Sequence, residues 1–311
     1  MTPEARAVGL VRCPDYQRRH LKENIDQLCR SISLFLRPGD RVLLKPNLIG
    51  ARGPDGLACT HPEFIAATAA WCLDHSVRVV VGDSPAFGTA RGVMQAVGIS
   101  RALQGMPVRM VNFKRCRRVV LAGGIEVDLA EQALECDVLI NLPRVKAHSQ
   151  LCVSLAIKNY FGSVVGMRKA WYHLRYGDRP ERFAGLLVDL LAVLPSGVTL
   201  VDGIVAMHKD GPLKGSPFHL GVLGGSLNPV ALETALMAIL GLAHDRNPLW
   251  LECARRKLPG ARLEDLVYPL EPPAAVSVSD FQAPVVLKPV SFNPCRMMIS
   301  AVKRSAALFK D

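Results

Sequence analysis

The stretch of residues 137–148, "DVLINLPRVKAH", turns from an apolar run into a cationic run within a few residues. Its first half, up to Pro143, is typical of a strand that is buried on both faces. Its second half carries Arg144, Lys146 and His148. Ligands of open α/β sheets bind beyond the carboxyl ends of the strands. The stretch therefore predicts a buried strand that leads directly into one wall of a binding site.

Similar apolar runs recur along the chain and alternate with helical patterns. The other candidate strands are "AVGLV", "RVLLKP", "VRVVVGD", "PVRMVNF", "VTLVDG" and "LGVLGG". The candidate helices cover residues 16–36, 62–75, 89–97, 181–194 and 229–240. Such alternation indicates βα units and a parallel sheet. The predicted fold class is α/β, with a mostly parallel sheet flanked by helices in three layers.

Local signals predict the smaller features of the fold. The segment "VVLAGGIEVDL" predicts a small hairpin insertion that turns at Gly123 and Gly124. Thr60 and Glu63 have the spacing of a capping box before the second helix, and Ser226 or Asn228 is the predicted cap before Pro229. These residue types satisfy free backbone N–H groups, so they mark where helices begin.

The domain prediction separates a large α/β domain from a short extension. Residues 1–265 form the domain, as one body or as two intimate lobes, and residues 266–311 form an irregular, Pro-rich C-terminal segment. The segment is predicted to end in a basic amphipathic helix over residues 295–310, from Cys295 to Lys310. We expect this helix to dock on the domain, and peripheral membrane contact is the alternative.

Polar or glycine-rich segments follow five of the predicted strands, whereas the amino ends of the strands show no comparable set. Cations outnumber acids among them: the cations are Lys45, Arg144, Lys146 and Lys158, and the acids are Asp83 and Asp202. A crevice with this bias is expected to bind a small anion, because each contact is strengthened where the dielectric is low. His148 is the candidate for proton transfer. Asp83 and Asp202 are expected to orient the lysines or to assist as catalytic groups; taken singly, each is as readily a turn cap.

Composition narrows the classes of partner. The net charge of +11 suits anionic partners. Aromatic residues are only 6% of the chain and do not interleave with the basic ones, which argues against binding of single-stranded nucleic acid. No apolar stretch has the length of a membrane span or the form of a signal peptide, so a cytoplasmic location is expected. The nine cysteines contain no C-x-x-C pair, so no iron–sulfur motif is encoded locally.

The ordered motifs resemble those of the domain of unknown function 362 family, whose members are often labelled iron–sulfur center proteins. The matches are Lys45–Pro46–Asn47, Thr60–His61–Pro62, the "VGDS" that ends at Ser84, "LPRVKAH", "IKNYFG" with Lys158 and Asn159, then Lys169, His173 and "DGI" from Asp202. The resemblance implies the fold and the site residues. It also allows a redox step with an external iron–sulfur donor as partner, while no cofactor is specified.

Two departures from the family pattern remove carboxylates. Where the family has M-E-G, this chain has Met207, His208 and Lys209. Where the family has D-x-V-A-x-D, the corresponding segment of this chain runs from Asn228 to Glu233. Asparagine therefore replaces the first aspartate, and glutamate replaces the second. A metal or acid/base role that needs both carboxylates is therefore in doubt, and no metal ligands are predicted.

Two functions from different classes follow. The first is an enzyme that binds a small anionic substrate or cofactor; the binding groups are Lys45, Asn47, Ser84, Arg144, Lys146, Lys158, Asn159, Lys169 and His173. Its catalytic groups are His148, Asp83 and Asp202. The second is a non-catalytic partner of an acidic protein, a membrane surface or RNA, which uses the basic run from Lys114 to Arg118 or the C-terminal helix. A solvated hairpin edge is the simpler interpretation of that run.

Overall fold

The computed structural model describes residues 4–51, 56–165, 168–176, 179–195 and 197–288. Its main sheet has the order β1-β11-β10-β7-β2-β3-β4, and β8 extends it by pairing with β10 and β9. The strands are β1 Gly9–Arg12, β2 Arg41–Pro46, β3 Arg78–Asp83, β4 Val108–Asn112, β5 Cys116–Val120, β6 Glu126–Ala130, β7 Val138–Leu142, β8 Arg144–His148, β9 Cys152–Ser154, β10 Gly197–His208 and β11 Ser216–Ser226.

Helices connect most of these strands. They are α1 Arg18–Ser31, α2 Pro62–Asp74, α3 Ala90–Ala96, α4 Ile99–Ala102, α5 Glu131–Glu135, α6 Ala156–Asn159, α7 Arg168–Tyr176, α8 Pro180–Val193, α9 Pro229–Ile239, α10 Pro248–Arg255 and α11 Pro273–Val276. No helix in the described part of the chain is long and apolar enough to cross a membrane.

The sheet is mixed but mostly parallel, as predicted. Parallel pairing joins five neighbouring strands, in the spatial order β10, β7, β2, β3 and β4. Strand β8 also pairs parallel with β10. Only β1, β11 and β9 join it by antiparallel pairing. The carboxyl ends of the central strands therefore point to one edge of the sheet.

Both faces of the sheet are buried, which explains the continuous apolar runs. In β2, Val42 and Leu44 pack with α1 and α2 on one face, whereas Leu43 packs with α8 residues such as Leu187 on the other. Successive residues of a strand point to opposite faces, so a strand between two helical layers must be apolar throughout. The predicted three-layer arrangement is confirmed.

The hairpin and one of the two cap predictions are confirmed. Strands β5 and β6 pair antiparallel, and Gly124 in their turn has φ 73, which glycine adopts without strain. Asn228 caps α9, because its side chain accepts hydrogen bonds from Val230 N and Ala231 N. The capping-box prediction at Thr60 is wrong. His61 caps α2 instead, through a hydrogen bond from Glu63 N to His61 Nδ1.

The polar run after β7 is itself a strand, which was not predicted as such. Arg144 pairs with Asp202 and Lys146 pairs with Met207 of β10, while β9 covers the other edge of β8. All five residues of β8 are buried. The run is extended, as Pro143 suggested, but it is fixed by strand pairing and not held in a loop.

Residues 266–288 continue after the last helix of the sheet layers. They contain the short helix α11, and Leu266, Val276 and Phe281 are buried against the cluster that includes α9. The predicted helix over residues 295–310 lies outside the described residues.

Candidate functional site

The site begins with a buried ion pair between β2 and β3. Lys45 Nζ lies 2.9 Å from Asp83 Oδ1, and the two side chains are 0% and 3% exposed. Asp83 Oδ2 also accepts a hydrogen bond of 3.0 Å from Leu48 N. Burial lowers the pKa of Lys45, while the charge of Asp83 opposes that shift. The predicted orientation of a lysine by Asp83 is therefore present at the carboxyl ends of two neighbouring strands.

A glycine allows the next segment to approach this pair. A Cβ atom at Gly162 would lie 2.0 Å from Asp83 Oδ1 and 2.2 Å from Lys45 Nζ. Ser84 N donates to Gly162 O at 3.1 Å, and Lys169 Nζ donates to the backbone oxygens of both Ser84 and Gly162. The "IKNYFG" motif is thus fastened to the end of β3 by backbone contacts.

Asparagine side chains connect the ends of the central strands. Asn159 Nδ2 donates to Asn141 Oδ1 at 2.8 Å and to Lys45 O at 3.2 Å. Asn159 Oδ1 accepts from Asn47 Nδ2 at 3.0 Å. Lys146 Nζ then donates to Asn47 Oδ1 and, at 3.1 Å, to Ala58 O. The network joins β2, β7, β8 and α6, so it fixes the position of the Lys146 ammonium group.

The pKa values of Lys146 and Lys158 lie below the usual value for lysine. Burial lowers the pKa of Lys146 to about 7, and the nearby charges of Lys158 and Arg144 add to the shift. Burial and the charge of Lys45 lower the pKa of Lys158 to about 8. We call Lys45, Lys146 and Lys158 the lysine cluster. Two of its members are therefore suited to gain and lose protons near neutral pH.

The Lys158 ammonium group is the member that is open to a ligand. Its side chain is only partly buried, and it lies 4.7 Å from the centre of the Phe161 ring. Among the described residues, no hydrogen bond or ion pair of this ammonium group is found. A cation over an aromatic face keeps its N–H groups available for an anion.

Two histidines lie beside the lysine cluster. His148 Nδ1 accepts from Gln150 N at 3.2 Å, which assigns its proton to Nε2, and His173 Nδ1 lies 2.9 Å from Gln150 Oε1. Burial and the charge of Lys158 hold the pKa of both histidines well below 6.5. Both rings are therefore neutral at pH 7. The catalytic role of His148 stays a prediction, and in this tautomer its Nε2–H group can donate a hydrogen bond while Nδ1 is occupied by Gln150 N.

Asp202 and Arg144 form a second cluster and do not join Asp83. Asp202 accepts from Tyr16 Oη at 2.7 Å and from His61 N at 3.0 Å, and its Oδ2 lies 3.8 Å from Arg144 Nε. Arg144 Nη1 donates to Cys59 O at 2.9 Å. The expectation that Asp202 orients a lysine is wrong, because its oxygens hold a tyrosine, a backbone N–H group and an arginine.

Sequence reasoning missed Glu233 as a contributor to the site. Its fully buried carboxylate accepts from Ile157 N at 3.0 Å and from Asn247 Nδ2 at 2.9 Å. Burial raises the pKa of Glu233 to about 7. The contact fixes the start of α6 and with it Lys158. A single acid in the apolar helix "PVALETALMAI" was the available signal, since an isolated charge among apolar residues needs a specific partner.

Two arginines of the basic run from Lys114 to Arg118 form ion pairs with neighbouring acids. Arg117 Nη2 lies 2.8 Å from Glu135 Oε1, and Arg118 Nε lies 3.3 Å from Asp128 Oδ1. These pairs agree with a solvated hairpin edge, and the partner role of this run stays a prediction.

A cavity of about 860 Å³ lies away from the strand ends. It is lined by α9 and α10 residues and by Arg6, which precedes β1. Polar atoms that line this cavity are hydrogen-bonded to one another. Trp250 Nε1 donates to Thr234 Oγ1 at 3.0 Å, and His244 Nε2 lies 2.9 Å from Thr234 O. We take the lysine cluster as the candidate functional site, because among the described residues its three lysines are balanced only by the single nearby carboxylate of Asp83. Among the described residues, no group of three His, Cys, Asp or Glu is placed to hold a metal ion.

The sequence of this chain is similar to those of a described family and of a protein from Synechocystis. Residues 42–238 match the family described as Domain of unknown function (DUF362). A thylakoid-associated protein of Synechocystis is 34% identical over 302 residues, which are 96% of this chain and 94% of that protein. The chain therefore belongs to the DUF362 family, which confirms the resemblance drawn from the motifs.

Two solved structures show distant similarity. One is a protein from Thermotoga maritima, with 12% identity and a TM-score of 0.41 over 67% of this chain and 55% of that one. The other is the lactate racemase apoprotein from Thermoanaerobacterium thermosaccharolyticum, with 10% identity and a TM-score of 0.47 over 77% of this chain and 59% of that one. The chain thus spans just over half the length of these two proteins.

Proposed function

We propose that this protein is an enzyme that binds a small anionic substrate at the lysine cluster. The observation that carries the proposal is the charge of the cluster. Lys45 is paired with Asp83 at 2.9 Å, but Lys146 bonds only the neutral oxygens of Asn47 and Ala58. A buried ammonium group without a countercharge is costly, and an anionic ligand removes that cost.

The lowered pKa values of the lysines support catalysis as well as binding. A group transfers protons best when its pKa lies near the working pH, and the pKa values of Lys146 and Lys158 are about 7 and about 8. We assign proton transfer to one of these lysines, with His148 beside them as a catalytic hydrogen-bond donor through its Nε2–H group. The lysines and Asn47 orient the substrate.

The family extends this proposal in two directions. The resemblance to iron–sulfur center proteins allows a redox step with an external electron donor as partner, although the iron–sulfur label itself does not transfer to this chain. We propose a cytoplasmic location, and the thylakoid association of the Synechocystis relative supports contact with a membrane surface.

Ligand screening tests the proposal. Thermal unfolding of the chain is measured with a set of small carboxylates and phosphorylated metabolites, and any stabilising compound is incubated with the chain, with and without reduced ferredoxin. We expect stabilisation by at least one anion and its conversion to product. Lys146→Met should abolish conversion, whereas Lys22→Met, which changes an exposed lysine in an ion pair with Asp74, should not. A ligand that binds and is never converted would favour the non-catalytic alternative.

A further inference from the structure

We infer that the ligand of the lysine cluster is a small dianion, either a phosphoryl compound or a dicarboxylate, which contacts Lys146 and Lys158 together. This inference rests on the proposed function and narrows its substrate class. The evidence is the balance of charge in the buried region around these two residues.

The cluster has more positive charge than its own acid can balance. Lys45, Lys146 and Lys158 supply three ammonium groups, and Asp83 supplies one carboxylate, 2.9 Å from Lys45. When all three lysines are protonated, the group carries two positive charges without a partner. A monoanion leaves one of them, whereas a dianion balances both.

No other buried carboxylate in the described part of the chain is available to the cluster. Each of the remaining ones is bound elsewhere: Asp202 by Tyr16 and His61, Glu233 by Ile157 and Asn247, and Asp189 and Glu252 by Arg256. We therefore infer that a ligand supplies the missing negative charge.

The groups around the two lysines do not change this balance. Lys146 is influenced by Arg144, Lys158, His148, Cys59 and Asp83, and Lys158 by Lys45, His148, His173 and Asp83. Both histidines are neutral at pH 7, and burial raises the pKa of the Cys59 thiol, so it is neutral too. Arg144 has its own acid, Asp202. Only Asp83 contributes negative charge.

The same geometry predicts that protons are taken up on binding. Lys146 is bound by neutral oxygens and Lys158 lies over an aromatic ring, so among the described residues no carboxylate pairs directly with either ammonium group. A dianion favours the protonated form of both lysines. Binding should therefore add more than zero and fewer than two protons to the protein at pH 8, and it should become tighter as the pH falls from 9 to 7.

Isothermal titration calorimetry of the full chain tests this inference. Malonate represents dicarboxylates, sulfate represents phosphoryl groups and acetate is the monoanion, all at one ionic strength and at pH 7.5. We expect one of the dianions to bind at least tenfold more tightly than acetate, and the tighter one identifies the source. Lys158→Met should remove the preference, and the exposed-site control Lys22→Met should keep it. Circular dichroism verifies that both variants are folded, and Lys158→Gln replaces a variant that is not.

Each outcome has a distinct meaning. Equal affinities for acetate and both dianions would overturn the dianion inference and leave the proposed function intact. No binding of any anion would overturn both. A preference that survives in Lys158→Met would place the dianion elsewhere and overturn the inference. Titrations at pH 8 in two buffers of different ionisation enthalpy count the protons, and an uptake of zero would also contradict it.

Discussion

The close packing of the backbone against the Lys45–Asp83 ion pair depends on Gly162. Its lack of a side chain lets the backbone pass the Lys45–Asp83 pair, where a Cβ atom would come within 2.0 Å of Asp83 Oδ1. Breaking a buried ion pair leaves a charge without compensation and costs about 3 to 5 kcal/mol. We therefore expect Gly162→Ala to lower the free energy of unfolding by about 3 kcal/mol, measured by urea denaturation.

Gly185→Ala is the matched control for that substitution. Gly185 lies within α8, and the nearest atom to its added Cβ is the flexible Arg256 Nη2 at 3.1 Å. Alanine also has a higher helix propensity than glycine, so stability should change by less than about 1 kcal/mol. Equal destabilisation by both substitutions would refute the tight packing at Gly162.

Lys146 should make stability depend on pH. Burial lowers its pKa from 10.5 to about 7, so between these values the unfolded chain binds more protons than the folded one. The free energy of unfolding then rises with pH across this window, by about 1 kcal/mol per pH unit for one group. Urea denaturation from pH 7 to pH 10 should show a steeper rise in the wild type than in Lys146→Met. Parallel curves would mean that Lys146 keeps an ordinary pKa.

Several site residues could be predicted from the sequence because they follow strands that are easily recognised. Lys45, Asp83 and Lys146 all come after apolar runs, and the parallel topology brings them to one edge. The roles of Asp202 and Glu233 could not be predicted, since their partners Tyr16 and Ile157 are distant in sequence. Contacts of that kind depend on packing and not on a local pattern.

At the level of elements, α6 depends on a single acid from α9. Glu233 accepts the N–H of Ile157 at the first turn of α6, which is too short to be stable alone. Glu233→Ala leaves this donor without a partner in a buried position, at a cost of about 1 to 3 kcal/mol. We expect Glu233→Ala to lose that stability and to weaken anion binding, because Lys158 is no longer fixed.

A conservative substitution at Glu233 separates the loss of the Lys158 position from a general loss of stability. Glu233→Gln keeps a side-chain oxygen for Ile157 N and removes the burial of a charge, so it should restore most of the anion affinity. If Glu233→Ala destabilises the chain but leaves affinity unchanged, then the position of Lys158 does not depend on α6.

Strand β8 shows where element prediction fails. Its sequence "RVKAH" is cationic, yet every residue is buried because β10 and β9 pair with it on both sides. Charged side chains are rare in buried strands, so a sequence pattern assigns them to a loop. Here Asn47 and the backbone oxygens of Ala58, Cys59 and Val205 compensate the Lys146 and Arg144 side chains.

At the scale of the whole molecule, we expect ligand binding to raise the free energy of unfolding of the chain. The folded chain assembles the lysine cluster from β2, β8 and α6, whereas the unfolded chain has no such site. A ligand at a hundred times its dissociation constant then adds about 2.7 kcal/mol to the free energy of unfolding. We expect a saturating dianion to raise the melting temperature of the wild type by several degrees and that of Lys158→Met by much less. Equal shifts would indicate a general salt effect.

A crystal structure of the chain grown with the tighter-binding dianion, malonate or sulfate, tests the assignment of the ligand to the lysine cluster. We predict electron density for that dianion within hydrogen-bond distance of Lys146 Nζ and Lys158 Nζ, at the carboxyl ends of β2, β3 and β8. The dianion bound instead in the cavity between α9 and α10, with the lysine cluster holding only water at saturating concentration, would contradict the assignment.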